Sequence, residues 1–206
     1  MTTLEQVAQF AGVSATDPSP ILTSMSRSRL PRLFSDLGYR RGAEIGVWDG
    51  AFSEELARGN AGMKRLLCVD PWLAYRRYNE RKNVQARLDR AYACAQERLS
   101  GLPCELLRMT SIEAAATVPD GSLDFVYIDA NHAEAFVRED LIAWAPKVRA
   151  GGCLCGHDYE LSQKAKQKHS WIEVKAAVDA YVQEQQIGPL FVLTGDRSPS
   201  WLWVVR

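Results

Sequence analysis

Four side chains that can carry a proton or bind a cation stand just beyond two apolar runs. The run Phe125 to Ile128 ends in Asp129-Ala-Asn-His132, and the run Cys153 to Gly156 ends in His157-Asp158-Tyr159. Two carboxylates and two imidazoles at neighbouring strand ends can serve proton abstraction, metal binding, or both. Each of the four, taken alone, could equally cap a helix or settle a turn. A second set lies earlier, in Glu44-Ile-Gly46-Val-Trp-Asp49-Gly50-Ala-Phe-Ser53. Gly46 and Gly50 let the backbone turn sharply and approach a ligand, and the helix start that follows offers free N–H donors to an anionic group. A dinucleotide fingerprint needs glycine where Trp48 stands, because the pyrophosphate requires a close backbone there, so Trp48 argues against NAD. Asp70, 24 residues past Gly46 in Val69-Asp70-Pro71-Trp72, is placed to accept hydrogen bonds from two ribose hydroxyls, or to act as a turn residue. Thr110 and Ser111 could meet an adenine edge or cap the next helix.

Ligands of open parallel sheets collect beyond the carboxyl ends of the strands, so the elements that hold these residues matter. The sequence predicts strands at Ala43–Val47, Arg65–Val69, Glu105–Arg108, Asp124–Ile128, Cys153–Gly156, Leu190–Leu193 and Trp201–Val205. Between them, Phe52–Arg58, residues 83 to 99, Glu134–Trp144 and Trp171–Glu184 carry apolar side chains at the three-and-four spacing of amphipathic helices. Strands alternating with helices call for a Rossmann-like α/β fold, a mostly parallel sheet covered on both faces. Only a short Gly-Asp-Arg-Ser-Pro-Ser link separates the last two strands, so that pair should run antiparallel. Residues 1–40 read as a helical lead-in and 41–206 as the main domain.

The chain has 206 residues, 47% of them hydrophobic and 24% charged, which fits one globular domain and excludes a disordered or collagen-like chain. No apolar run reaches the roughly 18 residues of a membrane span, and the amino terminus shows no secretory signal. Lys plus Arg equals Asp plus Glu at 25 each, so no net field steers the molecule onto nucleic acid or an anionic membrane. Five Arg between Arg27 and Arg41, and a second basic stretch from Arg76 to Arg98, read as solvated helix faces or as a rim that attracts an anionic substrate. The five cysteines are an odd number in apolar surroundings, which points to reduced thiols and a cytoplasmic protein. Cys153-x-Cys155-x-His157 lacks the spacing of a zinc motif.

Taken in order, EIGVWDGAFS, VDPW, DFVYIDANHAEAFVREDLIAWAPKVRAGG and GHDY resemble the class I S-adenosylmethionine-dependent methyltransferases, in the branch with VDPW and IDxxH signatures. The resemblance covers about residues 40 to 206 and implies a seven-stranded sheet with the last strand pair reversed. It also implies that Glu44, Gly46, Asp49, Gly50 and Ser53 hold the methionine portion of the cofactor. Asp70 with Pro71 and Trp72 would bind at the ribose, Thr110 and Ser111 at the adenine, and Asp129 near the sulfonium with His132 beside it. Related O-methyltransferases place a divalent cation at positions matching Asp129, His157 and Asp158, where His157 in place of a carboxylate favours manganese over magnesium. The function implied is methylation of a hydroxyl on a sugar, natural product or aromatic acceptor. Either a metal lowers the hydroxyl pKa, or His132 or His157 takes the proton, with Asp129 as the third catalytic residue. The alternatives are a cofactor-binding module without turnover and an NAD-type oxidoreductase. The partner is a small-molecule acceptor rather than nucleic acid or membrane, and a homo-oligomer stays open. Trp72, Tyr75, Tyr78 and Trp171 are candidate walls for the acceptor, and Lys164, Lys166, Lys168 and His169 suggest a lid.

Overall fold

The structure is a computed structural model and describes residues 1–75, 83–161 and 172–206. Its elements, in chain order, are α1 (Thr3–Ala11), β1 (Ile21–Thr23), a 3-10 turn (Arg27–Arg29), α2 (Leu30–Asp36), β2 (Arg41–Ile45), α3 (Ala51–Gly59) and β3 (Arg65–Val69). They continue with α4 (Gln85–Arg98), β4 (Cys104–Leu107), α5 (Ser111–Thr117), β5 (Leu123–Ile128), α6 (Glu134–Trp144), β6 (Val148–Gly156), α7 (Val174–Glu184), β7 (Phe191–Leu193) and β8 (Ser200–Val204).

All the strands join one sheet in the order β1-β7-β8-β6-β5-β2-β3-β4. β8 is antiparallel to both its neighbours, β6 and β7, and the remaining pairs are parallel. The final pair is therefore antiparallel, as the short link between the two strands requires. The sheet has eight strands rather than seven. The extra one, β1, lies inside the segment read as a helical lead-in and pairs Ile21 with Phe191 and Thr23 with Leu193. Three residues are too few to show a strand period, and Leu22 between them is 55% exposed, so local pattern gives no sign of this edge.

Side-chain alternation along each strand divides the core between two faces. Phe125 and Tyr127 of β5, with Cys153 and Cys155 of β6, pack under α1 to α4. Val126, Ile128 and Leu154 pack on the opposite face under α5 to α7, together with Trp144, Trp201 and Trp203. All five cysteines are free thiols, and burial pushes Cys153 up to about 12. No helix of the described residues is long and apolar enough to cross a membrane.

The strand order reverses beside β2. The chain passes from β2 through α3 to β3 and β4 on one side, then returns to place β5 on the other side. The crevice between the carboxyl ends of β2 and β5 is the place where a doubly wound sheet can admit a ligand.

Candidate active site

A cavity of about 220 Å³ opens at that crevice. Its walls include Glu44, Gly46, Asp49, Asp70, Pro71, Ser111, Asp129 and His132 from the sequence-predicted set, and Arg27, Phe52, Leu73, Tyr75 and Asn131 besides. Gly50, Ser53, Trp72, Thr110, His157 and Asp158 are not among the walls. Tyr78, Trp171 and the Lys164 to His169 cluster lie outside the described residues.

Gly46 follows β2 with φ of 93°, and a Cβ there would sit 2.1 Å from the Asp129 carbonyl oxygen. Only glycine allows β2 and β5 to close the crevice floor. Gly50, with φ of 79°, caps α3 and returns the chain towards the sheet. This turn places Ser53 in the core, where its hydroxyl donates to the Glu44 carboxyl, and both residues are almost fully buried. Burial pushes Glu44 well above the usual carboxylate range. The hydrogen bond from Ser53 opposes that, and the negative charge of Asp129 adds to it. Asp49 accepts from the Ala51 amide at 3.2 Å and from Arg98 at 3.4 Å, which ties the loop to α4.

Both oxygens of Asp70 accept backbone amides, from Trp48 at 3.0 Å and from Trp72 at 2.8 Å. The turn reading of Asp70 is thus realised, and the carboxylate also faces the cavity. Trp48 and Trp72 both have positive φ, as does Asp158, so among the described residues three of the four non-glycine residues in this conformation stand just after β2, β3 and β6. Backbone strain of this kind, costing about 1–3 kcal/mol per residue, persists where the surroundings enforce it. Trp72 is fully buried; its indole donates to the Trp48 carbonyl at 2.7 Å and packs on Tyr92, which makes it core rather than cavity wall. Tyr75 does face the cavity and its hydroxyl accepts from Asn131 at 3.0 Å.

Thr110 and Ser111 divide between the two readings given for them. The Thr110 hydroxyl caps α5 in a reciprocal box with Glu113. Ser111 lines the cavity, but its hydroxyl donates to buried Asp140 and accepts from the Trp144 indole at 2.8 Å. Burial pushes Asp140 up to about 7, with Ser111 opposing.

Among the other cavity residues, the His132 Nε2 lies 2.9 Å from Asp158 Oδ2 and 3.5 Å from Asp129 Oδ1. His157 Nδ1 approaches the other Asp158 oxygen at 3.1 Å, and the Ser198 hydroxyl donates to that same oxygen at 2.5 Å. The second Asp129 oxygen accepts from Arg27 Nη1 at 3.2 Å. Burial works to raise both aspartates. The hydrogen bond from His132 and the charges of His132 and His157 outweigh it, aided at Asp158 by a hydrogen bond from His157, so both lie below the usual carboxylate range and are ionised.

Arg27 arrives from the 3-10 turn near the amino terminus. The Arg27 amide and the Ser26 hydroxyl each donate to Asp196 at 2.7 Å, and the guanidinium lies 4.8 Å from the Phe52 ring centroid. Burial disfavours its charge, but Tyr127 and Asp129 outweigh that and hold its pKa above the ordinary guanidinium value.

Asp129, His132 and Asp158 bring one ligand atom each within 4.8 Å of one another, a spacing on which a metal ion could converge. That set contains His132, whereas His157 stands on the far oxygen of Asp158. As bonded, however, these residues do not fit a divalent cation. Each of the four carboxylate oxygens has a neighbouring group of the chain: Arg27, His132, His157 or Ser198. The guanidinium would repel an ion on Asp129, and an imidazole at the centre of the set is a poor substitute for the oxygen shell that magnesium demands.

A doubly wound sheet with an acid at the end of each of β2, β3 and β5, and a histidine–carboxylate pair at the crevice, is the α/β arrangement in which a nucleoside-type ligand can be held beyond the strand ends. Residues 43–159, more than half of the chain, match the family described as a methyltransferase domain, and the protein belongs to that family. No curated protein matches the chain. Among solved structures it is similar to the O-methyltransferase from Bacillus cereus in complex with SAH, at 18% identity over 99% of this chain and 90% of that one, with a TM-score of 0.63. It is also similar to the O-methyltransferase TomG from Streptomyces achromogenes, involved in tomaymycin synthesis and solved with SAM, at 17% identity over 99% and 90% of the two chains and a TM-score of 0.61.

Proposed function

We propose that the protein transfers a methyl group from S-adenosylmethionine to a hydroxyl oxygen of a small molecule. The observation that carries this reading is the shared cavity. Glu44, Asp70, Ser111, Asp129 and His132 all line it, and Asp158 stands behind His132. Glu44 suits the cofactor ammonium, Asp70 the ribose hydroxyls, and Asp129 the sulfonium charge. The solved structures with SAH and with SAM at similar folds support the same donor.

In the transfer the acceptor oxygen forms a bond to the methyl carbon as the carbon–sulfur bond breaks, and the electron pair of that bond stays on sulfur to give S-adenosylhomocysteine. The acceptor proton passes to the His132 imidazole, whose cationic form Asp158 stabilises at 2.9 Å. The sulfonium is already a good leaving group, so alignment of oxygen, carbon and sulfur supplies most of the acceleration, roughly 7–11 kcal/mol at best. Leu73 and Tyr75 give the acceptor an apolar and aromatic wall, which suits a sugar or aromatic ring.

Isothermal titration with S-adenosylhomocysteine tests the donor. Binding in the micromolar range is expected, weakened about 10- to 150-fold in Asp70→Asn, the loss expected when a charged acceptor worth roughly 1.5–3 kcal/mol is removed. No binding to the folded wild type would overturn the assignment.

A further inference from the structure

We infer that Arg27 is the resident cation of this site: its guanidinium occupies the charge position on Asp129 that a divalent ion would otherwise take, and its removal opens a metal site formed by Asp129, His132 and Asp158. The argument rests on who bonds to whom. The three potential ligand atoms lie within 4.8 Å of one another, so the spacing for a metal exists. What differs from a metal site is the charge already present. Arg27 sits 3.2 Å from Asp129 Oδ2 with its side chain 32% exposed, partly shielded from water, so its repulsion of a second cation is only partly screened.

The guanidinium is also held in place. Asp196 fixes the backbone of the turn through Ser26 and Arg27, and Phe52 lies beneath the guanidinium face. Residue 27 lies outside the segment 43–159 that matches the methyltransferase family, so this cation is brought by the chain's own amino-terminal segment. Arg27 acts through Asp129 and is a positioning residue. An exchangeable ion would have to displace it, break the pairing of His132 with both aspartates, and compete with a charge that cannot be neutralised by deprotonation.

Manganese uptake, followed by the loss of the free-ion electron paramagnetic resonance signal, tests this without any cofactor or acceptor. The result is therefore independent of whether the methyl-transfer reading holds. Wild type is expected to show no saturable uptake in the micromolar range, while Arg27→Gln binds at least about tenfold more tightly, since the repelling charge is gone. Uptake by Arg27→Gln should disappear when Asp158→Asn is added, and Arg27→Lys, which keeps the charge, should resemble wild type. Micromolar uptake by wild type that is lost in Asp158→Asn would overturn the inference. So would a folded Arg27→Gln that binds no better than wild type, or an Arg27→Lys that binds as tightly as the glutamine variant. Should Arg27→Gln not fold, the wild-type and lysine titrations decide the question alone. Once an acceptor is in hand, turnover should be unchanged by a chelator; loss on chelation with recovery on added manganese is the opposing result.

Discussion

Titrating S-adenosylhomocysteine into the protein in two buffers of different ionisation enthalpy counts the protons that leave on binding, and Glu44 should contribute up to about one. The residue is 2% exposed, and burial, reinforced by the charge of Asp129, pushes its carboxyl well above the ordinary range despite the hydrogen bond from Ser53. The free protein thus holds the Glu44 proton to higher pH than a solvated carboxyl would. A ligand ammonium placed beside it favours the ionised form, and the proton goes to the buffer. The sign follows: raising the pH removes a proton that binding would otherwise have to expel, so affinity increases with pH. The slope is up to about tenfold in Kd per pH unit, or roughly 1.4 kcal/mol, until the pH reaches the raised pKa of the free carboxyl. Glu44→Gln should release no proton, show a flat profile, and bind about 10- to 150-fold more weakly for want of a charge-assisted hydrogen bond worth about 1.5–3 kcal/mol. A wild-type binding heat that does not depend on the buffer, together with an affinity flat from pH 6 to 8, would refute the reasoning.

Asp140 gives a prediction about stability rather than binding. Its carboxyl rises from 3.8 to about 7 on folding, so the stability it contributes should be full below the unfolded value, fall by about 4 kcal/mol as the pH climbs from there to about 7, and change no further above. Denaturant unfolding at several pH values should show this decline in wild type and lose it in Asp140→Asn, which keeps an acceptor for Ser111. His132→Ala should lower turnover about 10²- to 10⁴-fold while leaving S-adenosylhomocysteine affinity within a few-fold, as for a general base outside the donor pocket. Comparable losses of binding and turnover would assign His132 to the cofactor instead. Gly46→Ala forces a Cβ against the Asp129 carbonyl at a φ that L residues rarely adopt, so melting should drop by roughly 4–8 °C for about 2 kcal/mol of strain. An unchanged melting temperature would show that β2 and β5 can separate at little cost.

The parts of the site that were legible in the sequence are those set by local chain chemistry. The glycine turn after β2, the acids ending β2, β3 and β5, and the histidine three residues past Asp129 each follow an apolar run, and sheet topology makes such runs converge. Hydroxyls were less legible, because Thr110 and Ser111 have the same local chemistry and only the distant Asp140 and Trp144 separate a helix cap from a cavity wall. His157 and His132 are alike in kind, and what distinguishes them is the direction in which each meets Asp158. Arg27 stood out only as one member of a basic run. Its partner is 102 residues away, and no local spacing records an ion pair of that span. β1 was hidden for a related reason, since its stabilising partner, β7, comes near the other end of the chain.

The pairing of β1 with β7 also bears on the order in which the molecule is completed. Ser26 and Asp196, which fix the turn carrying Arg27, are separated by 170 positions, and β7 is made after β2 to β6. The segment carrying β1 and Arg27 therefore has to wait for β7 before it can dock. Contacts of such long sequence separation carry the largest loop-closure cost and form late. During synthesis the crevice between β2 and β5 can assemble while its guanidinium is still absent, and it gains that charge only when the sheet edge closes. A nascent or carboxyl-terminally shortened chain would thus have Asp129 without its partner, so the electrostatic character of the site reports whether the whole sheet has been finished.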